Sequence, residues 1–115
     1  MLRKGETDSS AVSIYATFPN MTIAEEIGTA LVEGGLAACV NLIPGMRSIY
    51  RWKGAIERAE EVVAFIKTRP ARAPAVIAAI VAKHPYDTPA IVVFPISQGS
   101  RRYLDWIAAE TAGGS

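Results

Sequence analysis

Residues 37–54 read Ala37-Ala-Cys-Val-Asn-Leu-Ile-Pro-Gly-Met-Arg-Ser-Ile-Tyr-Arg-Trp-Lys-Gly54, and after a charged break residues 60–68 read Glu60-Glu-Val-Val-Ala-Phe-Ile-Lys-Thr68. The first arm alternates. Ala38, Val40, Leu42, Met46, Ser48, Tyr50 and Trp52 hold its even positions and are nearly all apolar. Its odd positions mix Cys39, Ile43 and Ile49 with Asn41, Arg47, Arg51 and Lys53. Period two in aromatic and β-branched residues predicts a strand. Gly54 and the residues to Ala59 read as the turn, and the second arm is apolar on both faces from Val62 to Ile66. The stretch is a long antiparallel hairpin. A straight arm over 37–53 would span about 55 Å at roughly 3.3 Å per residue, whereas a domain of this size has a radius of gyration of about 13–14 Å. The arm is therefore expected to bend at Pro44-Gly45, as a bulge, and to project far enough to pair with another chain.

The rest of the chain organises around this hairpin. Residues 1–10 are polar and aperiodic and read as a flexible tail, with a single domain over 11–112. Val12–Phe18 alternates as a strand. Asn20, or Thr22 with Glu25, caps a helix whose face carries Ile23, Ile27, Ala30 and Leu31 and which stops at Gly34-Gly35. After Pro70 a second helix presents Ala73, Val76, Ile77, Ile80 and Val81, and His84-Pro85 ends it. Residues 89–96 form the last strand. Ser100 caps a final helix carrying Tyr103, Trp106, Ile107 and Glu110. The order β-α-β-β-α-β with an added helix predicts an α+β, ferredoxin-like sandwich with a C-terminal helix and a projecting hairpin. Two of its strands are apolar on both sides, through Val63, Phe65, Val92 and Phe94 among others. Helices cover only one sheet face, so a second copy of the chain is the expected cover for the other.

Half of the residues are hydrophobic, a fifth are charged, and the formal net charge is +1. This balance argues against a nucleic-acid or anionic-membrane partner. The apolar run over 11–18 is too short for a membrane span or a signal segment, and a cytoplasmic location is expected. Cys39 is the single cysteine, which rules out an internal disulfide and a cysteine-rich zinc site.

Four blocks carry a resemblance. They are Leu36–Gly54, Glu61–Thr68, His84-Pro-Tyr-Asp-Thr-Pro89 and Tyr103-Leu-Asp-Trp-Ile107. In this order they resemble the CutA family of divalent-cation tolerance proteins. The resemblance implies a ferredoxin-like homotrimer with hairpin arms paired between subunits. It also implies a role in tolerance to copper and other divalent ions. Relatives with a proposed copper site carry cysteine where this chain has Ala16 and a histidine pair where it has Lys83-His84, and often glutamate where it has Ala90. Only His84 matches, so copper or another divalent cation is expected to bind weakly, through His84 alone or with Asp87.

Each candidate residue has a structural reading beside the functional one. His84 either packs at a helix end or serves as ligand, and the helix end favours packing. Asp87 either orients the imidazole or forms the turn before Pro89, and its Asp-Thr-Pro setting favours the turn. Cys39 reads as a small buried hydrophobe. Arg51, Lys67 and neighbouring cations read as cross-strand partners, or as the lining of a cleft between subunits with Glu60 and Glu61. Tyr50, Trp52, Tyr86 and Trp106 read as interface or core aromatics. Two functions compete. One is the trimeric metal-tolerance protein. The other is a sensor or scaffold resembling the trimeric PII signalling proteins, with a small-molecule or protein partner at its subunit clefts. Catalysis by His84 and Asp87 lacks a nucleophile–base motif and a metal-ligand cluster, so no enzymatic activity is expected.

Overall fold

The computed structural model describes residues 6–8 and 10–113. In chain order it has β1 (Glu6–Asp8), β2 (Val12–Phe18), α1 (Met21–Glu33), β3 (Cys39–Trp52), β4 (Ala55–Thr68), a short 3-10 turn (Pro70–Arg72), α2 (Ala73–Lys83), β5 (Ile91–Pro95), β6 (Gln98–Ser100) and α3 (Arg101–Glu110). Four strands form one antiparallel sheet in the order β3-β4-β2-β5. That is the ferredoxin-like arrangement the element order predicts.

The hairpin is longer and its turn tighter than its composition suggests. β4 begins at Ala55, so the turn is Lys53-Gly54 alone and Trp52 pairs with Ala55. Lys53 (φ 49°) and Gly54 (φ 84°) both take the left-handed conformation. Two such central residues match the twist of the flanking strands in a two-residue hairpin. The charged run 57–61 is strand because each residue has a partner on β3, with Arg47 opposite Glu60 and Tyr50 opposite Glu57.

Pro44-Gly45 is a β-bulge. The register passes from Ile43↔Val63 to Met46↔Glu61, so β3 holds one extra residue there, and Gly45 has φ 83°. A one-residue shift turns every later side chain to the other face. Val40 and Leu42 lie opposite Ile66 and Ala64 and pack on the helix-side core. Beyond the bulge Met46, Ser48, Tyr50 and Trp52 lie opposite Glu61, Ala59, Glu57 and Ala55, on the face away from the helices. The even positions thus form two apolar runs on opposite faces rather than one stripe.

The core joins β2 (Ile14, Ala16, Phe18) and β4 (Val62, Ala64, Ile66) to α1 (Ala24, Ile27, Leu31) and α2 (Val76, Ile80). Asn20 caps α1, its Oδ1 accepting from the Ile23 N–H at 3.0 Å. Gly35 (φ 73°) ends the helix, with the Leu36 N–H donating to the Leu31 carbonyl and the Gly35 N–H to that of Val32. This closes a Schellman motif. Ala24 and Gly28 are buried as well, because α1 approaches β3 so closely that a Cβ on Gly28 would lie 3.2 Å from Val40. Val81 is exposed, outside the buried stripe of α2.

Two expectations at the ends change. Residues Glu6–Asp8 pair with Gln98–Ser100 in a small second sheet, so the tail reading fails there; residues 1–5 and 9 lie outside the described residues. A three-residue partner strand carries too little periodicity to be read in advance. In α3 the buried residues are Leu104 and Ile107, packed with Ala11 and Ala38, while Tyr103 and Trp106 stack together and stay partly exposed.

The arm projects as expected. The molecule measures 49 × 32 × 21 Å with a radius of gyration of 15.3 Å. The bulge sets the first prediction. Gly45→Ala places a Cβ in the left-handed region at a cost of about 1–2 kcal/mol, so the melting temperature should fall by several degrees. An unchanged melting curve would show that the bulge is relaxed without glycine.

Candidate functional site

The site grows from the end of α2. His84 leaves the helix in extended conformation (φ −75°, ψ 137°) while its N–H donates to the Ile80 carbonyl at 2.8 Å. Proline at 85 forces that exit. The exit turns the imidazole inward, where it is 8% exposed and stacks on Phe18 at 5.2 Å. Its Nε2–H donates to the Thr17 carbonyl at 2.7 Å, and its Nδ1 accepts the Tyr86 N–H at 3.1 Å. A neutral imidazole has one donor and one acceptor, and both are used. His84 is therefore a fastener between α2, β2 and the following loop.

That geometry bears on the metal assignment. With both ring nitrogens engaged, His84 has no lone pair free for a cation, and Asp87 is not one of its partners. Ala16 is fully buried on the helix side and offers no donor atom. Among the described residues no three His, Cys, Asp or Glu side chains come together. The donors present do not fit a tight copper site, which needs several imidazole, thiolate or thioether ligands.

Above this fastener lies a cleft of about 530 Å³, within the range of small-ligand sites. The bulge builds one wall, since it brings Ser48, Tyr50 and Trp52 to the face that β2 lines with Tyr15 and Thr17. The 84–90 loop supplies Tyr86, Asp87 and Thr88. Glu61 belongs to the same lining, is only 7% exposed, and accepts a 2.6 Å hydrogen bond from the Ser48 hydroxyl. Burial, the Glu61 carboxylate and Tyr50 push the Tyr86 phenol above its ordinary range. Tyr15 donates to the Met46 sulfur at 3.6 Å.

Of the residues singled out in the sequence, Tyr50, Trp52, Glu61, Tyr86 and Asp87 meet in this cleft. Trp52 also lies beside its neighbour Lys53, whose Nζ is 5.9 Å from the ring centroid. The four aromatics Tyr50, Trp52, Tyr86 and Trp106 are all at least 40% exposed, so none is a core residue of the single chain. Cys39, Lys67 and Arg51 lie elsewhere. Cys39 is half-buried rather than buried, with Sγ 3.5 Å from the Tyr103 hydroxyl. Lys67 donates to the Asn41 side chain. Arg51 lies opposite Ile56 on the reverse face of the arm. Tyr15, Thr17 and Ser48 were not legible as cleft residues, because their meeting depends on the bulge register.

The same fold occurs in solved CutA structures. The CutA1 of Oryza sativa superposes with a TM-score of 0.88 at 32% identity, covering 93% of this chain and 98% of that one. The divalent cation tolerance protein of Thermus thermophilus gives 0.86 at 42% identity, covering 88% and 98%. Residues 12–110 match the family model for the CutA1 divalent ion tolerance protein. The chain belongs to the CutA1 family. Its curated relatives include the CutA of Thermus thermophilus, 43% identical over 98 residues that make up 85% of this chain and 95% of that one. Mouse CutA is 43% identical over 103 residues, 90% of this chain. The chain spans 58% of the length of the mouse protein and 60% of the human one. One solved CutA is described as periplasmic and a plant CutA as chloroplastic.

Burial and the neighbouring Cys39 thiol push the Tyr103 phenol up to about 12 from 10.0. A raised phenol favours the neutral form in the folded chain. Its contribution is complete below pH 10 and is lost as pH rises towards 12. The unmodified protein should therefore lose more thermal stability between those pH values than Tyr103→Phe. Parallel melting curves check this, and equal losses would show that Tyr103 titrates as it does in water.

Proposed function

We propose that this CutA1 chain serves in the response to divalent metal ions as a cytoplasmic homotrimer, and that it does so indirectly, with copper held only weakly by its own side chains. The family supports tolerance as the function. The observation that carries the indirect mechanism is the His84 ring, which is engaged at both nitrogens. Without it, and with Ala16 offering no donor, too few ligands remain to chelate copper. No helix among the described residues is long and apolar enough to cross a membrane.

Assembly is supported by what the single chain leaves uncovered. Val92 and Phe94 are about half exposed on the edge strand β5. Ile43 and Ile56 are similarly exposed along the hairpin, and Ile49 more so. Apolar patches joined to an unpaired edge mark an interface, and the family resemblance gives the number three. A second reading, a small-ligand sensor or scaffold, is favoured by the volume and aromatic walls of the cleft.

Light scattering after size exclusion should give three times the chain mass of 12.3 kDa, and Trp52→Ala should weaken the assembly. A stable monomer at micromolar concentration would remove the trimer. Copper titration against a competing chelator should show weak binding that His84→Ala leaves within about twofold, while that change lowers stability by about 1–3 kcal/mol through the unpaired Thr17 carbonyl. Tight binding abolished by His84→Ala would mean that the imidazole opens to metal, and the indirect mechanism would fall.

A further inference from the structure

The cleft opens on the sheet face away from the helices, where a neighbouring copy is the expected cover, and it is acidic. Glu61 lines it at 7% exposure, with the Ser48 hydroxyl bonded to its carboxylate, and Asp87 stands exposed on the loop wall. A copy seated on this face takes further water from both carboxylates. Such covering is costly unless the cover brings a cation with it.

The projecting arm carries the opposite charge on its other side. Arg47, Arg51, Ile56, Arg58 and Glu60 continue the helix-side face of the sheet past the bulge, since Arg47 pairs with Glu60, Arg51 with Ile56 and Ile49 with Arg58. The chain's own helices do not cover them: Arg51 and Arg58 are exposed, and Ile56 is 49% exposed. Arg47 has an acid opposite it, whereas Arg51 and Arg58 are diagonal neighbours that face isoleucines. Like charges so placed repel each other. The arm is thus basic and apolar where the cleft is acidic and aromatic, a complementary pair of surfaces. They cannot meet within one chain, because they lie on opposite faces of the same sheet. Contact between two different surfaces of identical chains is heterologous, and when the rotation closes it builds a ring. A twofold interface would instead set each patch against its own like.

We propose that the arm of one copy lays Arg51, Ile56 and Arg58 into the cleft of the next copy, where the guanidinium groups meet Glu61 and Asp87. The inference rests on the trimer reading and names the contact that closes the ring. Tyr15, Tyr50 and Tyr86 offer ring faces to the same guanidinium groups. Ser48 orients the Glu61 carboxylate to receive them.

Light scattering over a dilution series of the full chain tests this, with circular dichroism as the check on folding. The double change Arg51→Glu with Arg58→Glu should raise the concentration at which the assembly half dissociates by about tenfold or more. Adding Glu61→Gln and Asp87→Lys to that same chain, which exchanges the charges, should recover most of the loss. Recovery in a chain that holds every substitution shows that the loss was electrostatic and not misfolding. An arm variant as resistant to dilution as the unmodified protein overturns the proposal and leaves the trimer reading standing. A loss that the exchange does not recover overturns it as well. Weakened assembly on deletion of residues 1–5, with the arm variant unaffected, assigns the counter-charge to Arg3 or Lys4 and also overturns it. An unmodified chain that is monomeric at micromolar concentration removes the trimer reading and this inference together.

Discussion

One extra residue in β3 governs most of what distinguishes this molecule. The hydrogen-bond ladder between the hairpin arms runs on both sides of Pro44-Gly45, but the bulge shifts it by one position. Side chains in a strand alternate faces with period two, so that shift exchanges the inward and outward sets. Before it, Val40 and Leu42 complete the core under the helices. After it, Ser48, Tyr50 and Trp52 turn to the opposite face and wall the cleft. Gly45 makes the bulge possible because its positive φ is open to glycine at little cost.

His84 shows how a residue type associated with metal chemistry can be committed to structure. The residue before Pro85 is held in extended conformation, which swings the ring under the sheet instead of along α2. There it satisfies the Thr17 carbonyl and the Tyr86 N–H at once. The two bonds tie the helix end to the second strand and fix the loop that closes one side of the cleft. A ring so used contributes to the site by positioning Tyr86.

Membership of the CutA1 family and the geometry of the cleft bear on different questions. The first connects the chain with divalent-ion tolerance. The second concerns chemistry that family membership leaves open, because a fold shared at a TM-score of 0.88 fixes the backbone frame and not the groups lining a given cleft. The uncovered apolar residues of β5 and the hairpin are set by the same frame. A four-stranded sheet with helices on one side has a second face that its own chain cannot cover.

The sequence by itself determined the elements and their order. Alternation over Val12–Phe18 and along the hairpin, Asn20 and Ser100 as caps, Gly35 as a left-handed stop and Pro85 as a terminator are local effects, and each acts within a few residues of its own position. The position of the bulge was legible for the same reason, since proline followed by glycine disturbs a ladder wherever it occurs. Its consequence was not. Which face Tyr50 and Trp52 occupy depends on the partner strand's register, and that is set by contacts distant in sequence. The two-residue turn was missed because Glu57, Arg58 and Glu60 read as loop until β3 pairs with them. Glu61 was legible beside Glu60 as a possible cleft residue, but only tertiary packing buries it beside Ser48. The role of His84 was decided by two partners, one of them on β2, far away in the chain. Local conformational preference reads directly from residue identity, whereas burial, pairing and the free lone pairs of a side chain exist only once distant segments meet.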